Sequence, residues 1–387
     1  MTIFNRSKLK PLCYLSIVLV SSVGHVNAKS GDYLRSYQIG SQNWGSMSVK
    51  GASAYFGSDN GKFYALNLDR NRLAWQFETG GIVRSKAAIY NHKLFFTSDD
   101  GYLYALNRWS GTELWRVSLN DDKVVRNLPA NHAPWDFDYT KSSPTVSNGT
   151  VYVGSGDNHL YAVDIYSGKI KWSFKANDMI RSTPTVYQKQ VIFGSWDGSV
   201  YSLNSTTGDL SWKFETGGPI VSSPAVIDNK VIVGSRDTHV YALDVSSGKG
   251  LWQYEMPGGS WVESSATPSE SGHAFYLGSS DANILLKIDA TNGDVLWTFQ
   301  TNGWSWGKPL VKNGKVYIGA VGHDEPGWYN TESGFYSVDA ASGSLLWQYK
   351  PKRVEGFVHG GVYASPSIVN GQVLVPDLDG YIHVFDE

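Results

Sequence analysis

Four residues with titratable side chains lie outside the regular pattern of this sequence. They are His132, Tyr139, His323 and His359. A histidine or tyrosine base, together with an arginine that neutralises a substrate carboxylate, could carry out a lyase reaction on an acidic sugar. No two histidines have the short spacing that is typical of zinc sites, so we expect no metal site.

A second set of candidates lies three residues before the proline of a recurring Ser-Ser-Pro phrase, as Lys141 does before Pro144. The candidate ligand-binding residues of this set are Trp44, Arg84, Lys141, Arg181, Glu263, Trp306 and Tyr363. The basic members could bind carboxylate or sulfate through charge-assisted hydrogen bonds. The aromatic members could stack on a sugar or a planar cofactor, or anchor a protein partner. The alternative is structural: these side chains fill a channel and pair with one another, for example Arg84 or Arg181 with Glu263.

The elements that must position these residues repeat along the chain. Seven phrases combine a Tyr-Ala-Leu-like run, a short turn that usually contains Ser-Gly, and a Trp-x-aromatic run. The tryptophans of the phrases are Trp75, Trp115, Trp172, Trp212, Trp252, Trp297 and Trp347. Their separations are 40, 57, 40, 40, 45 and 50 residues, so the basic period is 40. A period of about 40–45 residues that is rich in strand formers is typical of β-propellers.

Each repeat reads as four short strands, called a blade here. Residues 222–254 give one blade, with turns at Asp228-Asn229, Arg236-Asp237-Thr238 and Ser247-Gly248. An eighth blade begins near Ala364 but lacks its last strand, and residues 34–39 near the other end resemble that missing strand. We therefore predict an all-β, eight-bladed β-propeller of four-stranded blades, closed by the N-terminal strand. The tryptophans are expected to pack between blades, and the aspartates that recur four residues before the tyrosine position are expected to cap turns.

The chain has a basic start, an apolar run over residues 12–23 and a small-residue site at Val26-Asn27-Ala28. This pattern predicts a signal peptide over residues 1–28 and one propeller domain over 29–387. The single cysteine, Cys13, lies inside the predicted signal, so neither a disulfide nor a lipid anchor is expected. The remaining chain has a net charge of −5, which argues against a nucleic-acid partner. We expect a periplasmic or secreted protein without a transmembrane segment.

The blades resemble the quinoprotein-type (PQQ-like) propeller repeat over essentially the whole predicted domain. The residues that carry this resemblance are Ser142-Ser143-Pro144-Thr145-Val146, Val151-Tyr152-Val153-Gly154-Ser155 and Ser167-Gly168-Lys169-Ile170-Lys171-Trp172. Within this family the chain is most similar to the BamB group, the propeller subunits of the outer-membrane β-barrel assembly machine. That resemblance implies a binding or scaffold protein with protein partners in the cell envelope, without a cofactor.

Two further functions stay open from the sequence. The first is a lyase-type enzyme on an anionic polysaccharide, which would use the basic residues and two inserted loops. One loop comprises 17 extra residues between blades two and three, including His132 and Tyr139, and the other is at residues 323–329. The second is implied by the resemblance to quinoprotein dehydrogenases, which use pyrroloquinoline quinone (PQQ) with a calcium ion. Many of those enzymes also use a vicinal cysteine pair, and this sequence has none.

Overall fold

The structure is a computed structural model that describes residues 19–21, 29–119, 141–323 and 330–387. His132 and Tyr139 therefore lie outside the described residues. The described residues form eight antiparallel sheets, and all of their strands except one belong to a four-stranded blade. The one described helical turn is a 3₁₀ turn at Pro257–Gly259. Among the described residues, no helix has the length and apolar character needed to cross a membrane.

The first four complete blades follow one another along the chain, each with its strands in sequence order. Blade one contains β3 (Ser48–Lys50), β4 (Ser53–Gly57), β5 (Lys62–Asn67) and β6 (Arg72–Glu78). Blade two contains β7 (Ala88–Tyr90), β8 (Lys93–Thr97), β9 (Tyr102–Asn107) and β10 (Glu113–Ser118). Blade three contains β11 (Thr145–Ser147), β12 (Thr150–Gly154), β13 (His159–Asp164) and β14 (Ile170–Lys175). Blade four contains β15 (Thr185–Tyr187), β16 (Gln190–Gly194), β17 (Ser199–Asn204) and β18 (Leu210–Glu215).

The remaining blades keep this order until the last. Blade five contains β19 (Ala225–Ile227), β20 (Lys230–Gly234), β21 (His239–Asp244) and β22 (Gly250–Glu255). Blade six contains β23 (Thr267–Pro268), β24 (Ala274–Gly278), β25 (Ile284–Asp289) and β26 (Val295–Gln300). Blade seven contains β27 (Leu310–Lys312), β28 (Lys315–Ala320), β29 (Gly334–Asp339) and β30 (Leu345–Tyr349). Blade eight contains β31 (Ser367–Val369), β32 (Gln372–Pro376) and β33 (Tyr381–Asp386).

The N-terminal strand β2 (Tyr33–Gln38) completes blade eight, as the sequence predicts. It pairs antiparallel with β33, with Tyr37 opposite Ile382. A short additional strand, β1 (Leu19–Ser21), pairs with the outer edge of β2. The two ends of the chain therefore share one sheet, and the eight-bladed ring is closed.

The core lies between the blades. Each of the eight interfaces between neighbouring blades has its own cluster of buried apolar side chains. The middle strands are covered on both faces, so that four consecutive residues of β20 are buried. The outer strands alternate between partly buried and exposed residues, as β22 does, because only one face meets the neighbouring blade.

The tryptophans of the phrases join neighbouring blades, and the prediction for them is confirmed. The Trp212 indole N–H of blade four donates to the carbonyl of Val245 in blade five over 3.0 Å. The Trp212 ring covers Gly248, whose φ is +71° and whose missing Cβ would lie 2.6 Å from the ring. The Ser-Gly turn thus needs glycine twice, for its backbone conformation and for the tryptophan above it.

Candidate functional site in the central channel

The predicted ring of candidate ligand-binding residues lies where the innermost strands begin, but most of these side chains are buried. The exposed fractions are 4% for Trp44, 7% for Arg84, 9% for Lys141, 6% for Arg181, 8% for Glu263 and 7% for Trp306. Tyr363 is partly buried. Most of the surface of this ring is therefore covered by protein, although all of its members except Arg181 also line the channel cavity described below.

Carboxylates from the preceding blade neutralise two basic members of this ring. Arg84 binds Asp59 in a bidentate manner, with Nε–Oδ1 at 2.9 Å and Nη2–Oδ2 at 2.6 Å. The Arg84 guanidinium also lies 4.9 Å from the Trp44 ring centre, which is within cation–π range. The Lys141 ammonium lies 3.8 Å from a carboxylate oxygen of Asp99. Asp59 and Asp99 occupy the same position in the turns that follow β4 and β8.

Blade six has the same arrangement with the charges reversed. Arg236, at the equivalent turn position, binds Glu263 over 2.8 Å, and its guanidinium lies 4.9 Å and 5.0 Å from the ring centres of Trp196 and Trp261. Burial raises the pKa of Glu263, and the Arg236 charge opposes that shift. The suggested pairing of Glu263 with Arg84 or Arg181 is wrong, because Arg84 and Glu263 each pair with a charged residue in the turn of the blade just before it. Arg181 instead has a guanidinium nitrogen 3.4 Å from the Met179 sulfur.

The aromatic members of the ring contact one another across three blades. Tyr363 lies 5.2 Å from Trp44 and 6.3 Å from Trp306 between ring centres. Trp306 also stacks on Trp304 at 4.9 Å, and its indole N–H donates to the Ser280 hydroxyl over 3.0 Å. These contacts account for the packing of the aromatic set within the fold. Its role in ligand binding stays a prediction.

A second ring, two residues further along each blade, faces the open channel. Its members are Ser46, Lys86, Ser143, Thr183, Ser223, Ser265, Lys308 and Ser365, and all of them line a cavity of about 580 Å³. Backbone N–H groups of this ring donate to hydroxyls of the next blade. Examples are the N–H of Thr183 to Ser223 at 2.9 Å and that of Ser223 to Ser265 at 2.8 Å. The hydroxyls therefore hold the blades in register around the channel.

Lys86 and Lys308 replace the hydroxyl residue of this second ring in blades two and seven. Within the described part of the chain, neither ammonium group has a hydrogen bond or an ion pair, and both side chains keep exposed surface. Desolvation by the surrounding protein disfavours the charged form and lowers the pKa of both lysines. The pKa of Lys308 falls to about 8, and repulsion from Lys86 is the second cause. Two like charges in one enclosed channel favour binding of an anionic group.

The sequence contains a signal for these two lysines, but at another position than the first ring. They lie just before the proline position, whereas the first ring lies three residues before it. Just before the proline position, six blades have serine or threonine and two have lysine. The two lysines therefore depart from the repeat as clearly as the candidates of the first ring do.

The two histidine candidates inside the described residues do not line the channel cavity. His323 is fully buried, its Nδ1 lies 2.7 Å from the Phe357 carbonyl, and its ring stacks on Trp304 at 5.1 Å. His359 is 9% exposed and packs over Gly322. Both belong to an aromatic cluster beside blades seven and eight. Their role as a general base stays a prediction.

The described lining residues supply few ligands for the calcium ion that accompanies PQQ. Calcium prefers several carboxylate or carbonyl oxygens. Among the described side chains that line the cavity, Glu263 is the one carboxylate, and it is bound to Arg236. The lysines beside it would repel a cation. The channel of this chain is suited to an anion instead.

Comparison with known proteins identifies the family that this chain matches. The family model described as "Outer membrane protein assembly factor BamB" matches residues 20–132, 99–263 and 260–387. The outer membrane protein assembly factor BamB of Yersinia pestis is 25% identical over 128 residues, a segment that spans 33% of this chain and 30% of that relative.

Solved structures share the fold. BamB from Moraxella catarrhalis superposes with a TM-score of 0.70 at 16% identity, covering 92% of this chain and all of that one. A europium-containing methanol dehydrogenase gives 0.69 at 15% identity, covering 89% of this chain and 84% of the enzyme. A quinohemoprotein alcohol dehydrogenase from Comamonas testosteroni gives 0.68 at 13% identity, with 92% and 76% covered. At these identities the structures establish the propeller alone. The family match spans nearly every residue of the ring, and the chain therefore belongs to the BamB family of outer membrane protein assembly factors.

Proposed function

We propose that the protein is an exported binding or scaffold protein that takes part in outer-membrane protein assembly in the periplasm. The observation that carries this proposal is the match of the family model across the closed ring, from residue 20 to residue 387. The geometry supports binding over catalysis, because Arg84 and Glu263 of the first ring are held by internal ion pairs.

The central channel is the proposed docking point for a partner. Lys86 and Lys308 place two cationic groups in a cavity of about 580 Å³. Such a cavity can receive an acidic side chain or a terminal carboxylate from an extended segment of a partner protein. Hydroxyls of the second ring would add hydrogen bonds to the same group. The partner class is therefore an envelope protein with an acidic segment.

Affinity capture from envelope extracts tests this function. The wild-type protein should recover β-barrel assembly proteins, and the double variant K86Q/K308Q should recover at least tenfold less of them. Lys350, whose side chain is 78% exposed and lies on an outer surface, offers the control K350Q, which should behave as wild type. Recovery of no assembly protein by the wild type would contradict the function. Equal recovery by the double variant would contradict the channel as the docking point.

An enzyme on an anionic polysaccharide is the second candidate, because the same two lysines could bind a uronate or sulfate. Its described histidine candidates lie away from the cavity, so the base would have to come from elsewhere. Incubation with a panel of uronate and sulfated glycans should produce absorbance from an unsaturated product if this function is present. Flat traces for the whole panel would end this candidate.

A further inference from the structure

The turn between β32 and β33 in blade eight differs from the equivalent turns of other blades. In four other blades, an aspartate accepts a hydrogen bond from the tyrosine four residues later, over 2.5–2.7 Å. A serine stands two residues before each of those aspartates. In blade eight the aspartate is Asp379, the serine is replaced by Asp377, and the tyrosine is replaced by His383. Two carboxylates and an imidazole thus occupy a place that elsewhere holds one carboxylate.

The three side chains converge on one point. The Nε2 atom of His383 lies 3.2 Å from Oδ2 of Asp379 and 3.7 Å from Oδ2 of Asp377. One donor atom from each residue lies within 4.8 Å of the other two. Ligands at about 2.0–2.2 Å from a tetrahedral zinc ion are about 3.3 Å from one another. Small side-chain adjustments would therefore suffice to bind an ion.

A buried carboxylate oxygen in this cluster lacks a hydrogen bond. The Asp377 side chain is fully buried, and its Oδ2 atom has no hydrogen bond of ordinary geometry, although the Tyr349 hydroxyl lies near enough to the carboxylate to lower its pKa. Burial and the nearby Asp379 charge both raise the pKa of Asp377. A divalent cation would balance both carboxylates and satisfy the orphan oxygen, which a single imidazolium cannot do completely.

Neighbouring aromatic residues orient the imidazole for this role. The Tyr33 hydroxyl lies 3.5 Å from Nδ1 of His383, which leaves Nε2 for the ion. The Tyr349 hydroxyl lies 3.1 Å from Nε2, beside the position that a fourth ligand or a water molecule would take. Tyr33 belongs to β2 and His383 to β33, so the cluster lies where the ring is closed.

We propose that Asp377, Asp379 and His383 form a binding site for a divalent transition-metal ion, zinc or manganese, that reinforces the closing blade. The mixture of imidazole and carboxylate ligands favours these ions over calcium and magnesium, which prefer oxygen ligands alone. The site is separate from the channel lysines. The proposal of this site therefore does not depend on the proposed function.

Thermal unfolding and metal analysis of the full chain test the site. After EDTA treatment and buffer exchange, zinc or manganese at a hundredfold excess over its Kd should raise the Tm by about 3–4 °C. Dialysed protein should hold about one ion per chain. D377N and H383Q should lose both effects, while calcium and magnesium should leave the wild type unchanged.

A matched control comes from blade five, where His239 lies 3.7 Å from Asp237 but has a single carboxylate beside it. H239Q should respond to metal as the wild type does. If H383Q keeps the full Tm shift, or if the wild type binds no ion and shows no shift, the proposal is wrong. Because D377N is nearly isosteric, it tests the ligand even if H383Q folds poorly.

Discussion

At the scale of single residues, the positive charge of Lys308 in the channel should lower the stability of the folded protein. Its pKa is lowered to about 8, whereas the unfolded chain should titrate near the ordinary lysine value of about 10.4. Between these pH values the unfolded state binds more protons than the folded state, so stability should rise with pH through this window. Below pH 8 the unfavourable contribution is fully present.

Replacing Lys308 by serine, the residue that five other blades have at this position, should therefore stabilise the protein at pH 7. The Tm of K308S should exceed that of the wild type at pH 7, and the gap should shrink as the pH approaches 10. K86S should raise the pKa of Lys308, because it removes the repelling charge. A Tm gap that does not change with pH would contradict the argument.

The candidate site was only partly predictable from the sequence, for a reason that belongs to this scale. Arg84 and Lys86 are two residues apart on an extended segment, so both point to the same side. Sequence spacing gives that direction but not the partner in the neighbouring blade. Arg84 and Lys86 both line the cavity, but Arg84 is paired with Asp59 in the turn of the blade before it, whereas Lys86 has no such pair within the described residues. Only the assembled ring shows this difference.

At the scale of elements, the contact of each tryptophan with the next Ser-Gly turn sets the spacing of blades. Gly248 and Gly314 both have a φ of +71°, but only Gly248 lies under a tryptophan ring. Replacing Gly314 by alanine should cost about 1–2 kcal/mol for the left-handed backbone alone. Replacing Gly248 should cost about 1–3 kcal/mol more, because the new methyl group overpacks against Trp212.

Urea unfolding of G248A and G314A, with equal m-values, measures the difference between the two positions. A similar loss of stability in both variants would mean that the tryptophan moves aside without cost. The repeat predicted both the tryptophan and the turn, because each is a local pattern that recurs in blade after blade.

Two residues that depart from this repeat contact each other. Tyr37 replaces the tryptophan of blade eight, and Asn71 replaces the glycine in the turn of blade one. The Tyr37 hydroxyl donates to the Asn71 side-chain oxygen over 2.7 Å. The sequence showed each replacement alone, and only the closed ring places the two side chains together, since they lie in different blades.

At the scale of the whole molecule, β2 supplies the outer strand that blade eight would otherwise lack, so that β33 is not itself an edge strand. Without β2, the edge of β33 would expose unpaired backbone groups that can pair with another chain. The pairing of β2 with β33 also completes the apolar cluster around Tyr37, Leu374 and Ile382. The N-terminal strand should therefore decide whether the protein stays monomeric.

Two truncated variants test this expectation. A chain of residues 29–387 removes the predicted signal together with β1, which lies inside it, and should remain a monomer that unfolds in one cooperative transition. A chain of residues 39–387 also lacks β2, and it should unfold at lower temperature and self-associate through β33. Size-exclusion chromatography with light scattering would reveal the association, and hydrogen exchange should show lost protection first in β33. Equal mass and equal Tm for the two chains would mean that the other seven interfaces hold the ring without its closing strand.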